Sequence, residues 1–178
     1  MIASIQQIDI LDLEVDALIY STNVRLNCTG GIGACLMERY GKQVQTDLHT
    51  LLSEQGTTFA SQGSVFEHVT EGMPYQRVYH TIPCDGLYNT TEEIVSNVLV
   101  KSLEGCLDCP NVSTVALSAL ATGYGHLLFE DFFRLASSIL SDNRFAPLAS
   151  VTIGVPDQDS YQLAAEQVRI ESLKFNLL

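Results

Sequence analysis

The reading of the fold turns on residues 15–41, VDALIYSTNVRLNCTGGIGACLMERYG. Its first third is a short, β-branched, nearly continuous apolar run, the pattern of a strand covered on both faces. Its last third places Ile32, Cys35, Leu36 and Tyr40 on one face at helical spacing, with Gly41 as the stop. Between them lie Asn23, a wandering connection and the turn Thr29-Gly30-Gly31-Ile32-Gly33, with no lysine and one arginine. Two familiar phosphate loops do not fit. A dinucleotide fingerprint needs G-x-G-x-x-G directly after the strand, and Ala34, Cys35 and Leu36 follow here. A Walker loop needs a Lys after its glycines, and none is present.

The rest of the chain repeats the alternation. Residues 2–7, 64–69, 77–83, 112–118 and 150–155 read as further strands. Helical stripes run through Val44, Leu48 and Leu52, stopped by Gly56, and through Ile94, Val95, Val98 and Leu99 after a capping box of Thr90 with Glu93. Phe129 to Leu140 forms another, and Asp159 with Gln162 is expected to open a last one. The tail RIESLKFNLL reads as either a strand or a frayed end. No repeat or linker divides the chain, so residues 1–178 are expected to form one domain of α/β class with helices on both sides of a central sheet. In such folds ligands collect beyond the carboxyl ends of strands. A second glycine loop stands at one such end: Ala121-Thr122-Gly123-Tyr124-Gly125-His126.

Composition narrows the partners. Of 178 residues, nine are Lys or Arg against twenty-one Asp or Glu, a formal charge of −12. A general nucleic-acid binder needs a basic footprint, so that class is excluded. A small anionic ligand held by main-chain N–H groups is not. The N-terminus lacks the features of a signal peptide and no apolar run reaches eighteen residues, so no membrane association is expected. Five cysteines without regular spacing fit reduced thiols and a cytoplasmic location. Cys106-x-x-Cys109 reads as packed cysteines at a helix exit, and no metal or cofactor is implied.

Two glycine loops at adjacent strand ends of an acidic chain point to a pyrophosphate clamp, with a helix dipole at Ile32–Ala34 adding about half a positive charge. At this point the sequence resembles the macrodomains, the ADP-ribose-binding modules. Their signature runs Gly-Asp-Ile-Thr, then Val-Asp-Ala-Ile-Val-Asn-Ala-Ala-Asn, then a Gly-Gly-Gly-Val helix start. Here it reads Ile8-Asp9-Ile10-Leu11, then Val15 to Asn23, then Thr29-Gly30-Gly31-Ile32. The fourteen-residue step from Asp9 to Asn23 and the ten-residue step from Asn23 to Gly33 match the family. Val78-Tyr79-His80-Thr81-Ile82 and Ser118 to Gly125 resemble its later strand and second loop.

The resemblance implies a three-layer α/β/α fold with a mixed sheet of about six strands. It also implies roles. Asp9 would accept from the adenine amino group and Ile10 would offer its N–H to the ring. Asn23 would bond the distal ribose. Gly30, Gly31 and Ile32 would face the pyrophosphate from one side, and Thr122, Gly123, Tyr124 and Gly125 from the other, with Tyr124 beside the ribose. Bland readings stand alongside: Asp9 as a helix cap, Asn23 as a turn residue, Tyr124 as loop packing.

The expected ligand is ADP-ribose, free or on a modified protein. Catalysis is left open. The hydrolytic subgroup's Asp is replaced by Gly33, which cannot act as a base. Its first Asn is replaced by Tyr20, and Val155 or Pro156 stands where many members stack an aromatic on adenine. Remaining candidates are Asn23, Glu38, Asp85, His126 and Asp131. A scaffold that kept the fold without the ligand is the third reading.

Overall fold

The structure, a computed structural model, describes residues 1–69 and 71–178. Seven strands form one sheet: β1 (Ile2–Gln7), β2 (Ala17–Ser21), β3 (Val65–His68), β4 (Arg77–Thr81), β5 (Thr114–Ser118), β6 (Ser150–Val155) and β7 (Asn176–Leu177). Their order is β3-β4-β2-β5-β6-β1-β7. Every neighbouring pair is parallel except β3 with β4. The ambiguous tail thus supplies an edge strand, pairing Ser4 with Asn176 and Ile5 with Leu177.

Alternation along β2 explains the layers. Ala17 and Ile19 point into a core shared with helices α3 (Glu92–Asp108), α4 (Phe129–Leu140) and α5 (Gln158–Ile170). Leu18 and Tyr20 point into a second core with α1 (Gly31–Tyr40) and α2 (Gln43–Glu54). Side chains on both faces are buried, so the strand reads as continuously apolar rather than alternating.

Asp16 fixes the register at the amino ends. One of its carboxylate oxygens accepts from the N–H groups of Ser113 (2.9 Å) and Thr114 (2.9 Å) and from both hydroxyls (3.1 and 2.8 Å). Burial alone would raise its pKa; these bonds to the charged form outweigh that and hold it below the usual carboxylate range.

Two helix starts differ from the sequence expectation. Thr91, not Thr90, caps α3 by accepting from the N–H of Ile94 (3.3 Å). Thr90 instead donates to the Pro83 carbonyl (2.6 Å), so the chain enters the helix one residue later. At α5 the cap is Asp157, which accepts from the Ser160 N–H (2.8 Å), ahead of Asp159. Both starts keep the right chemistry with a different register, because adjacent polar residues compete for one role. Cys106 is buried in the last turn of α3, and Cys109 is the C-cap; both are free thiols. Among the described residues no cluster of three His, Cys, Asp or Glu is placed to hold a metal, and no helix is long and apolar enough to cross a membrane.

Candidate functional site

Strands β2 and β5 are neighbours, so the loops that leave their carboxyl ends emerge side by side. The Ser21 hydroxyl ties them, accepting from the Ala121 N–H at 3.1 Å.

The first loop is shaped by Asn23. Its Oδ1 accepts from the N–H groups of Arg25 and Asn27 (both 3.1 Å), and its Nδ2 donates to the Asn27 carbonyl (2.7 Å). Asn23 thus organises its own turn, and its amide keeps a second N–H donor. Gln45 of α2 grips the far side, donating to the Leu26 carbonyl (2.9 Å) and accepting from the Cys28 N–H (2.7 Å). Nothing in the sequence pattern singled out Gln45; its partners are main-chain groups that exist only once the loop has folded.

The chain then turns into α1 through Gly31, whose φ of +53° is a left-handed conformation that favours glycine. The first helical bond in this turn runs from the Ala34 N–H to the Gly30 carbonyl (3.3 Å). The N–H groups of Gly31, Ile32 and Gly33 find no acceptor among the described residues. No acidic side chain occupies this first turn, and no side chain caps it. The N-terminus is left as a bare, partly positive donor set.

The second loop repeats the arrangement by other means. Ala121 sits at φ +62°, its carbonyl accepts from the Leu127 N–H (3.3 Å), and the Thr122 hydroxyl donates to the Ala119 carbonyl (2.9 Å). A Cβ on Gly125 would collide with the Ala121 carbonyl and come within 2.7 Å of the Cys84 sulfur. Among the described residues the N–H groups of Thr122, Gly123, Tyr124 and Gly125 have no acceptor. The two loops face each other: a Cβ on Gly30 would lie 3.5 Å from the Tyr124 hydroxyl oxygen.

Asp9 and Ile10 follow β1 and so stand at the same carboxyl edge of the sheet. Asp9 caps the short 3-10 turn Ile10–Asp12, accepting from the Leu11 N–H (3.0 Å). Its second oxygen takes a 2.7 Å bond from Arg39, which also binds Asp12 at 2.6 Å. The Ile10 side chain is buried against Gly154, where any Cβ would strike it. The Ile10 N–H has no acceptor among the described residues. Val155 is fully buried and bonds through its carbonyl to the Ile8 N–H (2.9 Å), while Pro156 is exposed.

Most of the catalytic candidates are engaged elsewhere, while Asp85 and His126 lie close enough to interact electrostatically. Gly33 is buried against Cys28, whose Cα would lie 3.4 Å from an added Cβ, an ordinary contact distance. Asp85 organises its own loop, accepting from the N–H groups of Leu87 (2.8 Å) and Asn89 (2.9 Å). Asp131 is bound by Arg134 (2.7 Å), Glu38 is exposed on α1, and His126 is exposed beside the second loop. Tyr20, standing at the family's first Asn, donates or accepts in a buried 2.7 Å bond with Nδ1 of His80. Burial pushes the Tyr20 phenol well up and the His80 imidazole down to about 3. This pair is a neutral polar link inside the core.

Behind the first loop lies a cavity of about 430 Å³, lined in part by Arg25, Asn27, His49 and Phe59. The Arg25 guanidinium rests 4.7 Å above the Phe59 ring.

With this geometry in hand, comparison with known proteins gives a consistent answer. The Macro domain family profile matches residues 19–136. The chain belongs to the macrodomain family. An uncharacterized protein of Mycobacterium tuberculosis is 26% identical over 151 residues, 85% of this chain and 40% of that protein. The chain thus spans about two fifths of the length of the curated relatives it matches. Among solved structures, the Oceanobacillus iheyensis macrodomain with ADP superposes with a TM-score of 0.82 at 16% identity, covering 93% of this chain and 89% of that one. The Trypanosoma brucei macrodomain in complex with ADP-ribose gives 0.76 at 17% identity, covering 93% and 68%.

Proposed function

We propose that residues 1–178 act as one binding unit for ADP-ribose, free or carried by a modified protein. The observation that carries this reading is the pair of facing loops whose main-chain amides have no internal acceptor. These donors range from buried Gly33 to exposed Gly31, Gly123 and Tyr124, so they stand open to a ligand from solvent, and a diphosphate is the anion whose length and charge suit two opposed rows of them. Main-chain donors also explain how a chain of charge −12 holds an anion without a lysine in either loop.

In this reading Gly30, Gly31 and Ile32 bind the pyrophosphate from the α1 side, and Thr122, Gly123, Tyr124 and Gly125 from the other. Asn23 shapes the first loop and turns its remaining Nδ2–H to the distal ribose. The Ile10 N–H meets the adenine ring. Asp9 accepts from the adenine amino group with a lone pair that Arg39 leaves open. The site is read as a binding site, because Gly33 stands at the family's usual acid position and cannot act as a base. The hydrolase alternative is settled by incubating the protein with an ADP-ribosylated protein and measuring released ADP-ribose.

Calorimetry with ADP-ribose tests the binding. Saturable binding is expected, and Gly31→Glu, which sets a carboxylate in the diphosphate's place on a left-handed backbone, is expected to weaken it at least about 100-fold, about 2.7 kcal/mol. No heat and no thermal shift with millimolar ADP-ribose would overturn the reading.

A further inference from the structure

Beside the second glycine loop the surface carries a ridge of uncovered apolar side chains. Leu87 is 76% exposed, Tyr124 72%, Leu128 63% and Tyr88 48%. The Tyr88 and Tyr124 rings lie 5.8 Å apart at 34°. Since Tyr124 also faces Gly30, the ridge reaches the first glycine loop.

The loop that displays Leu87 and Tyr88 is braced. Asp85 accepts from the N–H groups of Leu87 and Asn89 and from the Asn89 amide (3.1 Å). Gln62 clamps the loop's two ends, donating to the carbonyls of Pro83 (3.2 Å) and Asn89 (2.8 Å). Tyr88 itself is held at φ +65°, a costly conformation for a bulky residue. Strain of this kind persists where surrounding bonds impose it and is concentrated at ligand-contacting positions. Clustered uncovered apolar side chains of this kind are a feature of surfaces that contact partners.

Charge selects the partner. Glu92 and Glu93 open α3, and Glu130 and Asp131 open α4. The two first turns meet at Arg134, which bonds Glu92 (3.1 Å) and Asp131 (2.7 Å). With Asp85 these make five carboxylates in the segments that flank the ridge residues along the chain, Asp85 before Leu87, Glu92 and Glu93 after Tyr88, Glu130 and Asp131 after Leu128. Arg134 and two helix dipoles offset about two of those charges, leaving about three in excess. A phosphate backbone is repelled there. A guanidinium is attracted, and its plane stacks on exposed tyrosine faces.

We propose that the Leu87–Tyr88–Tyr124 ridge receives the polypeptide that carries the ADP-ribosyl group, and that it selects a basic segment by stacking an arginine neighbouring the modified residue. The proposal rests on the ADP-ribose reading of the cleft and adds to it the class of target.

The test compares free ADP-ribose with peptides ADP-ribosylated on a serine and flanked by either arginines or glutamates. The wild-type protein is expected to bind the arginine peptide at least about tenfold tighter than free ADP-ribose, an advantage that shrinks with salt. The glutamate peptide gains nothing. Tyr88→Asn removes the ring while keeping a residue that tolerates positive φ. Together with Leu87→Ser, it is expected to abolish the tenfold advantage and leave free ADP-ribose affinity unchanged.

Equal affinity for both peptides, or an advantage that survives both substitutions, overturns the proposal. Tighter binding of an ADP-ribosylated oligonucleotide overturns it in favour of a nucleic-acid target. If free ADP-ribose fails to bind, the cleft reading falls by itself. The ridge is then judged by the unmodified arginine peptide. Salt-sensitive shifts of the Tyr88 ring resonances support it, and their absence overturns it.

Discussion

The two ends of the cleft are built on different terms. At the β1 end Asp9 is shared between a cap and Arg39, and Val155 is buried. At the other end two exposed tyrosines and a strained, braced loop crowd the mouth. Between them lie the open amides of both glycine loops. The contrast teaches that main-chain geometry shapes the middle of this edge of the sheet, while the side chains on either side of it differ in kind: ion-paired and capped at one, aromatic and exposed at the other.

The comparison breaks most sharply at the shared centre. Gly125→Val places carbon against the Ala121 carbonyl and the Cys84 sulfur, so the second loop must move. Overpacking of this kind costs about 1–3 kcal/mol of stability. Loss of measurable ADP-ribose binding is expected with it, read by a thermal melt and calorimetry on the same sample. Retained affinity would show that the second loop does not hold the diphosphate.

The β2 and β4 strands at the tyrosine-rich end rest on the neutral Tyr20–His80 pair. His80 has a folded pKa of about 3 against an ordinary 6.5, so between those values the unfolded chain binds the extra proton. Its contribution is fully present above pH 6.5 and is lost progressively as the pH falls toward 3. Burial lowers His68 as well, partly opposed by Asp47 at 3.5 Å. A melting temperature lower by on the order of 5 °C at pH 5 than at pH 7 is expected. His80→Gln should flatten that dependence. An unchanged slope would place the acid sensitivity elsewhere.

The smallest effect sharpens the β1 end. Pro156→Phe restores a ring beside the buried Val155 and is expected to tighten ADP-ribose about fivefold, about 1 kcal/mol. If affinity does not change while that of the arginine-flanked peptide does, the adenine lies elsewhere in the cleft.

Much of this was legible before folding. The strand at residues 16–22, the glycine turn after it and the stripe of α1 follow from local periodicity, and the spacing from Asp9 to Gly33 marked the family. The misplaced caps at Thr91 and Asp157 show the limit: neighbouring residues offer the same hydroxyl or carboxylate, and only the helix axis selects one. Leu87 and Tyr88 escaped notice because an exposed apolar loop residue has no periodicity to betray it.

By itself, the chain's alternation of apolar runs and glycine turns determined the layers and set two glycine turns after two of the strands. Only the tertiary structure decided that Asn23 serves its own loop first, that Arg39 shares Asp9, and that Tyr124 stands opposite Gly30 and beside Tyr88. The reason is physical. Periodicity reports which face of an element is buried, whereas the partners of a polar or aromatic side chain are set by contacts between segments far apart in sequence.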